Sequence, residues 1–268
     1  MKLSPQAMLK RSAQATCLAA LILMVTACVT TTSGGFNVDS SAERAVRDYI
    51  QLAIGYYEAG DMAGAKRHIN NALAINNRSS EAYNVQALIL QREGEPRLAL
   101  ENFERSLSLN SANSRTRNNF AAFLFEQQRY EDAYRQLEIV ANDTAYEARA
   151  LAFENLGFAA QRTDRADRAA AAFERALQLN QNLYRSSLEL AQMRFDAGLF
   201  AESLRYYNQF VVTGNFYNMP QTPRSLWLGI ELERRFDNRA GAAIYGQLLE
   251  SLYRDSPEYQ RYVSSAND

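Results

Sequence analysis

The chain has 268 residues, with 29 Lys and Arg against 30 Asp and Glu and a net charge of −1. That balance excludes the strong basic excess of a nucleic-acid-binding surface, and 47% hydrophobic with 22% charged residues excludes a disordered chain. Two cysteines and a single histidine, His68, leave almost no material for a protein-built zinc site or a Cys/His or Ser/His/Asp catalytic set.

Residues 1–27 predict a targeting segment. Lys2, Lys10 and Arg11 form a positive start with no acid, and residues 17–26 (CLAALILMVT) are a short apolar run. About 10 residues cannot span a bilayer, which takes roughly 20. The run ends at Val25-Thr26-Ala27-Cys28. Small residues before a cysteine, straight after an apolar run, resemble a bacterial lipobox; the plainer alternative is an ordinary secretory signal cleaved near Ala27. The resemblance implies that Cys28 is lipidated, palmitate included, and becomes the mature N-terminus. No other cofactor is expected. Such a mature chain has 26 basic against 30 acidic residues, a net charge of −4. It has no free thiol and no disulfide, so packing alone must hold it in an oxidising compartment. By resemblance to Gram-negative lipoproteins, Val29 in place of Asp implies the outer membrane, facing the periplasm. Residues 28–44, with the Thr/Ser/Gly-rich stretch 29–41 (VTTTSGGFNVDSS), read as a lipidated cysteine and flexible tether.

Residues 45–268 repeat one pattern. Gly60 is followed by Ala65, Ile69 and Ala72, and 34 residues on, Gly94 is followed by Ala99, Phe103 and Ser106. Further shifts of 34, 36 and 34 reach Gln128, Asp164 and Gly198 with their own small and large residues. A last shift of 38 aligns Gly241, Tyr245 and Leu248 with Ser203, Tyr207 and Phe210. Upstream of each turn lies a small residue: Ala53, Ala87, Ala121, Gly157, Ala191 and Gly229. This is the tetratricopeptide pattern of a 34-residue helix–turn–helix. It predicts an all-α, right-handed α-solenoid of about six repeats, starting near Val46, Ser80, Ser114, Ala150, Tyr184 and Thr222. Small residues sit where helix A crosses helix B, and Phe103, Leu137, Phe173 and Tyr207 fill the space between units. Gly60, Gly94 and Gly198 suit the A–B turn, for which Gln128 and Asp164 are less ideal. Pro220 and Pro223 mark the longest connection, 213–224, before a divergent sixth unit that reads as a cap.

Helix A lines the concave face of such arrays, and in this repeat family unit positions 2, 5, 9, 12 and 13 commonly face the partner. Those positions hold Ile50, Ile54 and Tyr57 in the first unit and Asn84, Leu88, Gln91 and Arg92 in the second. The third has Asn118, Ala122, Phe125 and Glu126; the fourth has Glu154, Phe158, Gln161 and Arg162; the fifth has Leu188, Gln192 and Phe195. An apolar row edged by amides suits an amphipathic helix or an extended peptide. Ordinary packing against the adjacent helix is the alternative for any one of these residues. Lys66 is the one lysine after the signal, so the groove has no lysine clamp for a terminal carboxylate. His68, on helix B of the first unit, reads as structural. No phosphate loop, metal spacing or nucleophile motif is present, and neither nucleic acid nor a small-molecule substrate is expected.

Three segments narrow the family. Residues 118–133 (NNFAAFLFEQQRYEDA), 187–209 (SLELAQMRFDAGLFAESLRYYNQ) and 225–245 (SLWLGIELERRFDNRAGAAIY) resemble the type IV pilus biogenesis and stability lipoprotein, the pilotin of the pilus secretin. Leu226-Trp227-Leu228-Gly229-Ile230 is the most specific piece. The resemblance implies a non-enzymatic outer-membrane lipoprotein that binds secretin subunits and promotes their localisation and multimer assembly, for pilus biogenesis and twitching motility. Its expected partner-binding groove comprises Ile50, Ile54, Tyr57, Asn84, Leu88, Gln91, Asn118, Phe125 and Phe158. The rival is a periplasmic repeat lipoprotein serving as scaffold for peptidoglycan hydrolases or outer-membrane barrel assembly.

Overall fold

A computed structural model describes residues 38–266. The expected signal, Cys28 and residues 28–37 of the expected tether lie outside the described residues. Those described form thirteen α-helices and no strand. Six antiparallel pairs run α1 (Val38–Glu58) with α2 (Met62–Ile75), α3 (Ser80–Arg92) with α4 (Pro96–Leu109), and α5 (Ser114–Glu126) with α6 (Tyr130–Asn142). They continue with α7 (Arg149–Arg162) and α8 (Ala166–Leu179), α9 (Tyr184–Asp196) and α10 (Phe200–Phe216), and α11 (Pro223–Arg235) and α12 (Arg239–Tyr253). A thirteenth helix, α13 (Pro257–Ala266), stands alone. The array is an all-α solenoid with the expected helix–turn–helix unit. Two boundaries differ from expectation. Helix α1 begins at Val38, so 38–44 is helix and not tether. The C-terminal cap is the separate helix α13, which packs Tyr259 and Tyr262 against the core of α11 and α12.

Local chemistry explains the helix ends. Asp61, Ser79, Asn113 and Asn238 accept from backbone N–H groups in the first turn of their helices, and Thr222 and Ser225 form a capping box. Pro96 and Pro223 open α4 and α11, where a missing N–H costs nothing. Between helices A and B one residue always turns left-handed: Gly60, Gly94 and Gly198 at φ 74–82°, and Gln128, Asp164 and Asp237 at φ 56–60°. Asp237 corrects the register of the sixth unit. It lies 39 residues after Gly198, one more than the sequence spacing, so α12 turns Ala242, Gly246 and Leu249 inward. Leu248, expected in the core, is 37% exposed.

The units stack through size complementarity. Ala53, Ala87, Ala121 and Ala191 of the A helices and Ala65, Ala99, Ala133 and Ala169 of the B helices are fully enclosed. Phe103, Leu137, Phe173 and Tyr207 are buried beside them. A β-carbon at Gly157 would overlap the Phe173 ring, so this crossing requires glycine. The backbones of consecutive A helices approach one another closely, whereas those of consecutive B helices stay farther apart. The A side is therefore the inner, concave side of the curve.

The α10–α11 junction holds a polar group inside. Tyr207 Oη donates to the Ser225 carbonyl at 2.9 Å, and its ring meets Tyr245 edge-on at 5.8 Å. Burial pushes the Tyr207 phenol far above the usual tyrosine range, and Tyr245 beside it adds to the effect. The neutral phenol is thus the stabilising form, fully effective below the unfolded value of about 10 and lost as pH rises beyond it. Urea unfolding should show stability falling above about pH 10. Tyr207→Phe should flatten that fall while costing about 1–2 kcal/mol at neutral pH. A left-handed residue with a β-carbon costs about 1–2 kcal/mol. Gln128→Gly should therefore raise the unfolding free energy read from urea titration by roughly 1 kcal/mol.

Candidate functional site

The concave row splits by position. Position 5 faces the next A helix. Ile50 is 1% exposed within the first core cluster, and Asn84 is 2% exposed with its Oδ1 accepting from Asn119 Nδ2 at 3.2 Å. Both were expected to face a partner, and both are enclosed by the following unit. Asn118 is half-buried and accepts likewise from Asn155 Nδ2 at 3.2 Å. Glu154 goes furthest: its buried Oε2 accepts from the Ser186 backbone N–H at 3.1 Å and from the Ser186 hydroxyl at 2.7 Å. It thereby caps α9, whose own N-cap residue, Leu183, has no capping side chain. A carboxylate against helix N–H groups also suits the positive end of the helix dipole.

Positions 9 and 12 remain open. Ile54, Tyr57, Leu88, Gln91, Phe125 and Phe158 are all half-buried, which gives each a packed base and an accessible face. The row continues through Gln161 and Phe195. Gln91 Nε2 donates to Glu126 Oε2 at 2.6 Å and Gln161 Nε2 to Glu189 Oε2 at 3.0 Å, so amides bridge one unit to the next along the groove.

Arginines sit over the groove aromatics. Arg92 lies 5.1 Å from the Tyr57 ring centre, Arg162 lies 5.1 Å from Tyr130 and 6.0 Å from Phe125, and Arg185 lies 4.4 Å from Phe158. Each such contact fixes a ring and keeps a cation at the groove edge. Between the third and fourth units the groove deepens into a cavity of about 180 Å³, lined by Ala121, Ala122, Phe125, Leu137, Asn155 and Phe158 and rimmed by Glu126 and Arg185. Its volume suits one large apolar side chain. At the far end an open cleft of about 770 Å³ lies among Phe195, Phe200, Trp227, Arg234 and Arg235. Trp227 is the half-buried member of a motif whose Leu226, Leu228 and Ile230 are core.

Sequence reasoning missed Arg185 and the depth of the 180 Å³ cavity. Arg185 occupies position 2 of the fifth unit, so the repeat register carried the signal. The cavity arises from the packing of Leu137 on helix B behind two A helices and has no linear signature. His68 is stacked between Tyr56 and Tyr49, with ring centres 5.0 and 6.0 Å away. Among the described residues no group of three His, Cys, Asp or Glu could hold a metal ion, and no helix is long and apolar enough to cross a membrane.

No family model matches the chain. It is 38% identical over 245 residues to the type IV pilus assembly protein PilF of Pseudomonas aeruginosa, covering 90% of this chain and 94% of the relative. The solved PilF structure superposes with a TM-score of 0.80 at 37% identity, over 84% of this chain and 99% of that one. PilW, described as a widely conserved type IV pilus biogenesis factor, matches with a TM-score of 0.68 at 22% identity, over 81% of this chain and 98% of its own. YrrB, a TPR protein with an unusual peptide-binding site, matches at 0.59 and 15% identity, over 73% and 97%. These last two share the fold. With over a third of residues identical along nearly the whole of both chains, this tetratricopeptide array belongs to the PilF family of type IV pilus assembly proteins.

Proposed function

We propose that the chain is a pilotin. It binds secretin subunits of the type IV pilus in the concave groove and carries them to the outer membrane, where they assemble into the ring. A lipid on Cys28 supplies the anchor, and the folded array faces the periplasm. Binding and release of a segment need no reacting group, so we assign the groove no catalytic role. The observation that carries this reading is the continuous half-buried row Ile54, Leu88, Phe125 and Phe158, with an anchor cavity between the third and fourth units. Membership of a pilus assembly family supports the choice of client over a peptidoglycan or barrel-assembly partner.

An amphipathic helix or extended strand fits the groove. Its main apolar side chain would enter the 180 Å³ cavity, and Tyr57 and Gln91 would contact its flanks. One experiment tests both groove and anchor. A strain lacking the gene is complemented with wild type, with Cys28→Ala, or with Leu88→Asp plus Phe125→Asp, and its membranes are fractionated. Wild type should restore secretin multimers in the outer membrane and twitching. A charge buried against an apolar client costs at least ~1.4 kcal/mol, so the groove variant should recover less than about a tenth of the secretin in a pull-down. Cys28→Ala should leave binding intact but release the protein from the membrane fraction. Normal secretin assembly without the gene, or undiminished capture by a folded groove variant, would overturn the proposal.

A further inference from the structure

The convex side near the C-terminus breaks the pattern of the other units. Solvent-facing positions in the middle of the B helices are mostly polar, whereas their last turns also expose Ile75 and Leu179. At the position of Ile244 four of the other five B helices carry a charge: Arg67, Glu101, Arg135 and Arg205. At the position of Leu248 the others carry Asn71, Arg105, Arg175 and Gln209, with Ile139 alone apolar. In α12 both are apolar and open. Ile244 is 59% exposed, and with Leu248 and Leu252 it forms a ridge at i, i+4 and i+8. Of the exposed residues beside this ridge, Ala243, Gln247 and Ser251 carry no charge, and Glu250 carries one.

The neighbouring B helix, α10, is 17 residues long against 13–15 for the others. Its extra turn and the following loop expose Val212, Phe216, Tyr217 and Met219, with Phe216 77% open. The 39-residue register sets Leu252 level with Thr213, and Tyr253 Oη donates to the Gln221 carbonyl at 2.6 Å, joining α12 to that loop. The two exposed sets therefore adjoin at one end of the convex face.

From this geometry we infer that the convex face of α10 and α12 is a docking surface for a second copy of this chain, paired about a two-fold axis. Its seven large apolar residues together expose on the order of 700 Å², close to the roughly 800 Å² each partner gives to a stable interface and above the isolated patches of ordinary monomers. A two-fold interface sets a patch against itself, so it must avoid an excess of one charge. This patch does: the ridge side chains are uncharged, and the charged groups around it are Asp237, Arg239, Glu250, Arg254 and Asp255 on α12 and at its ends, with exposed Arg205 on α10, three acids against three bases. Arg239 pairs with Asp237 at 3.8 Å, and Arg254 with Glu250 at 3.0 Å. That rim lacks the cationic ring by which surface helices hold anionic bilayers, which favours a protein over a lipid surface. The patch lies on the B side, so pairing leaves both concave grooves open. The inference does not depend on which client the groove takes.

The test uses the full-length chain. A photo-crosslinking residue, p-benzoylphenylalanine, is placed in cells at Ser251 or, as control, at Asn71 on the equivalent face of α2. The detergent-solubilised protein is weighed by analytical ultracentrifugation. The expected result is a cross-linked homodimer from position 251 and none from 71, with dimer mass in solution. Ile244→Arg with Phe216→Arg should raise the dimer dissociation constant at least tenfold, and the milder Leu248→Gln should raise it less. Both variants should keep the wild-type melting temperature when all are measured at dilutions where wild type is monomeric, because the replaced side chains face solvent in the monomer. Monomer mass up to about 100 µM, where even a ~10 µM dimer is well populated, would overturn the proposal. So would cross-links from 251 to another protein alone, or patch-dependent binding of a monomer to phosphatidylethanolamine–phosphatidylglycerol vesicles.

Discussion

Everything in this molecule depends on the close crossing of helices A and B at paired small residues. Ala53 with Ala65, Ala87 with Ala99 and Ala121 with Ala133 lie fully enclosed, and Gly157 leaves room for the Phe173 ring. Interiors packed this densely admit no additional methyl group without displacement. The crossing therefore fixes the geometry of each helix pair. Large side chains on helix B then bridge to the next unit, and repetition turns one local geometry into a curve. A unit alone could not bury both faces, so cooperation between neighbours substitutes for covalent staples.

The curve has a chemical consequence on its inner side. Consecutive A helices touch there, and the closest positions are consumed by contacts between units. Asn84, Asn118 and Glu154 each accept a hydrogen bond from the following unit. A buried amide or carboxylate is tolerated only when so satisfied. One turn further along each helix the neighbours diverge, and Ile54, Leu88, Phe125 and Phe158 retain a free face. The groove is therefore what remains once the stacking contacts are met. Its arginines are held over aromatic rings, so the floor stays apolar while the edges carry charge.

The two sides of the array do different work. The concave side is built from A helices, with amides and rings in register from unit to unit. The convex side is polar over most of its length, with single exposed apolar residues such as Ile75, Ile139 and Leu179, and carries a cluster of them at α10 and α12. There one helix is longer than its counterparts and the other carries Ile244 and Leu248 where most of its counterparts carry charged or amide side chains. A solenoid can carry such asymmetry at little cost, because each unit contacts only its neighbours.

Much of this was legible in the sequence, because a repeat is a local signal read many times. The period, the crossing residues and most helix starts follow from side-chain size and turn chemistry: Ser80, Ser114 and Tyr184 begin their helices where the spacing placed them. The family follows from segments such as residues 225–245, where identity is dense. Tertiary structure alone decided three matters. It enclosed Ile50 and Asn84, because burial at position 5 depends on how closely the next A helix approaches. It moved the sixth unit by one residue, because Asp237 takes the left-handed turn and no glycine announces it. It formed the 180 Å³ cavity and the convex patch from residues on different helices, whose proximity depends on the crossing angle. Sequence specifies which faces must be hidden, whereas the distance between neighbouring units determines which faces stay open.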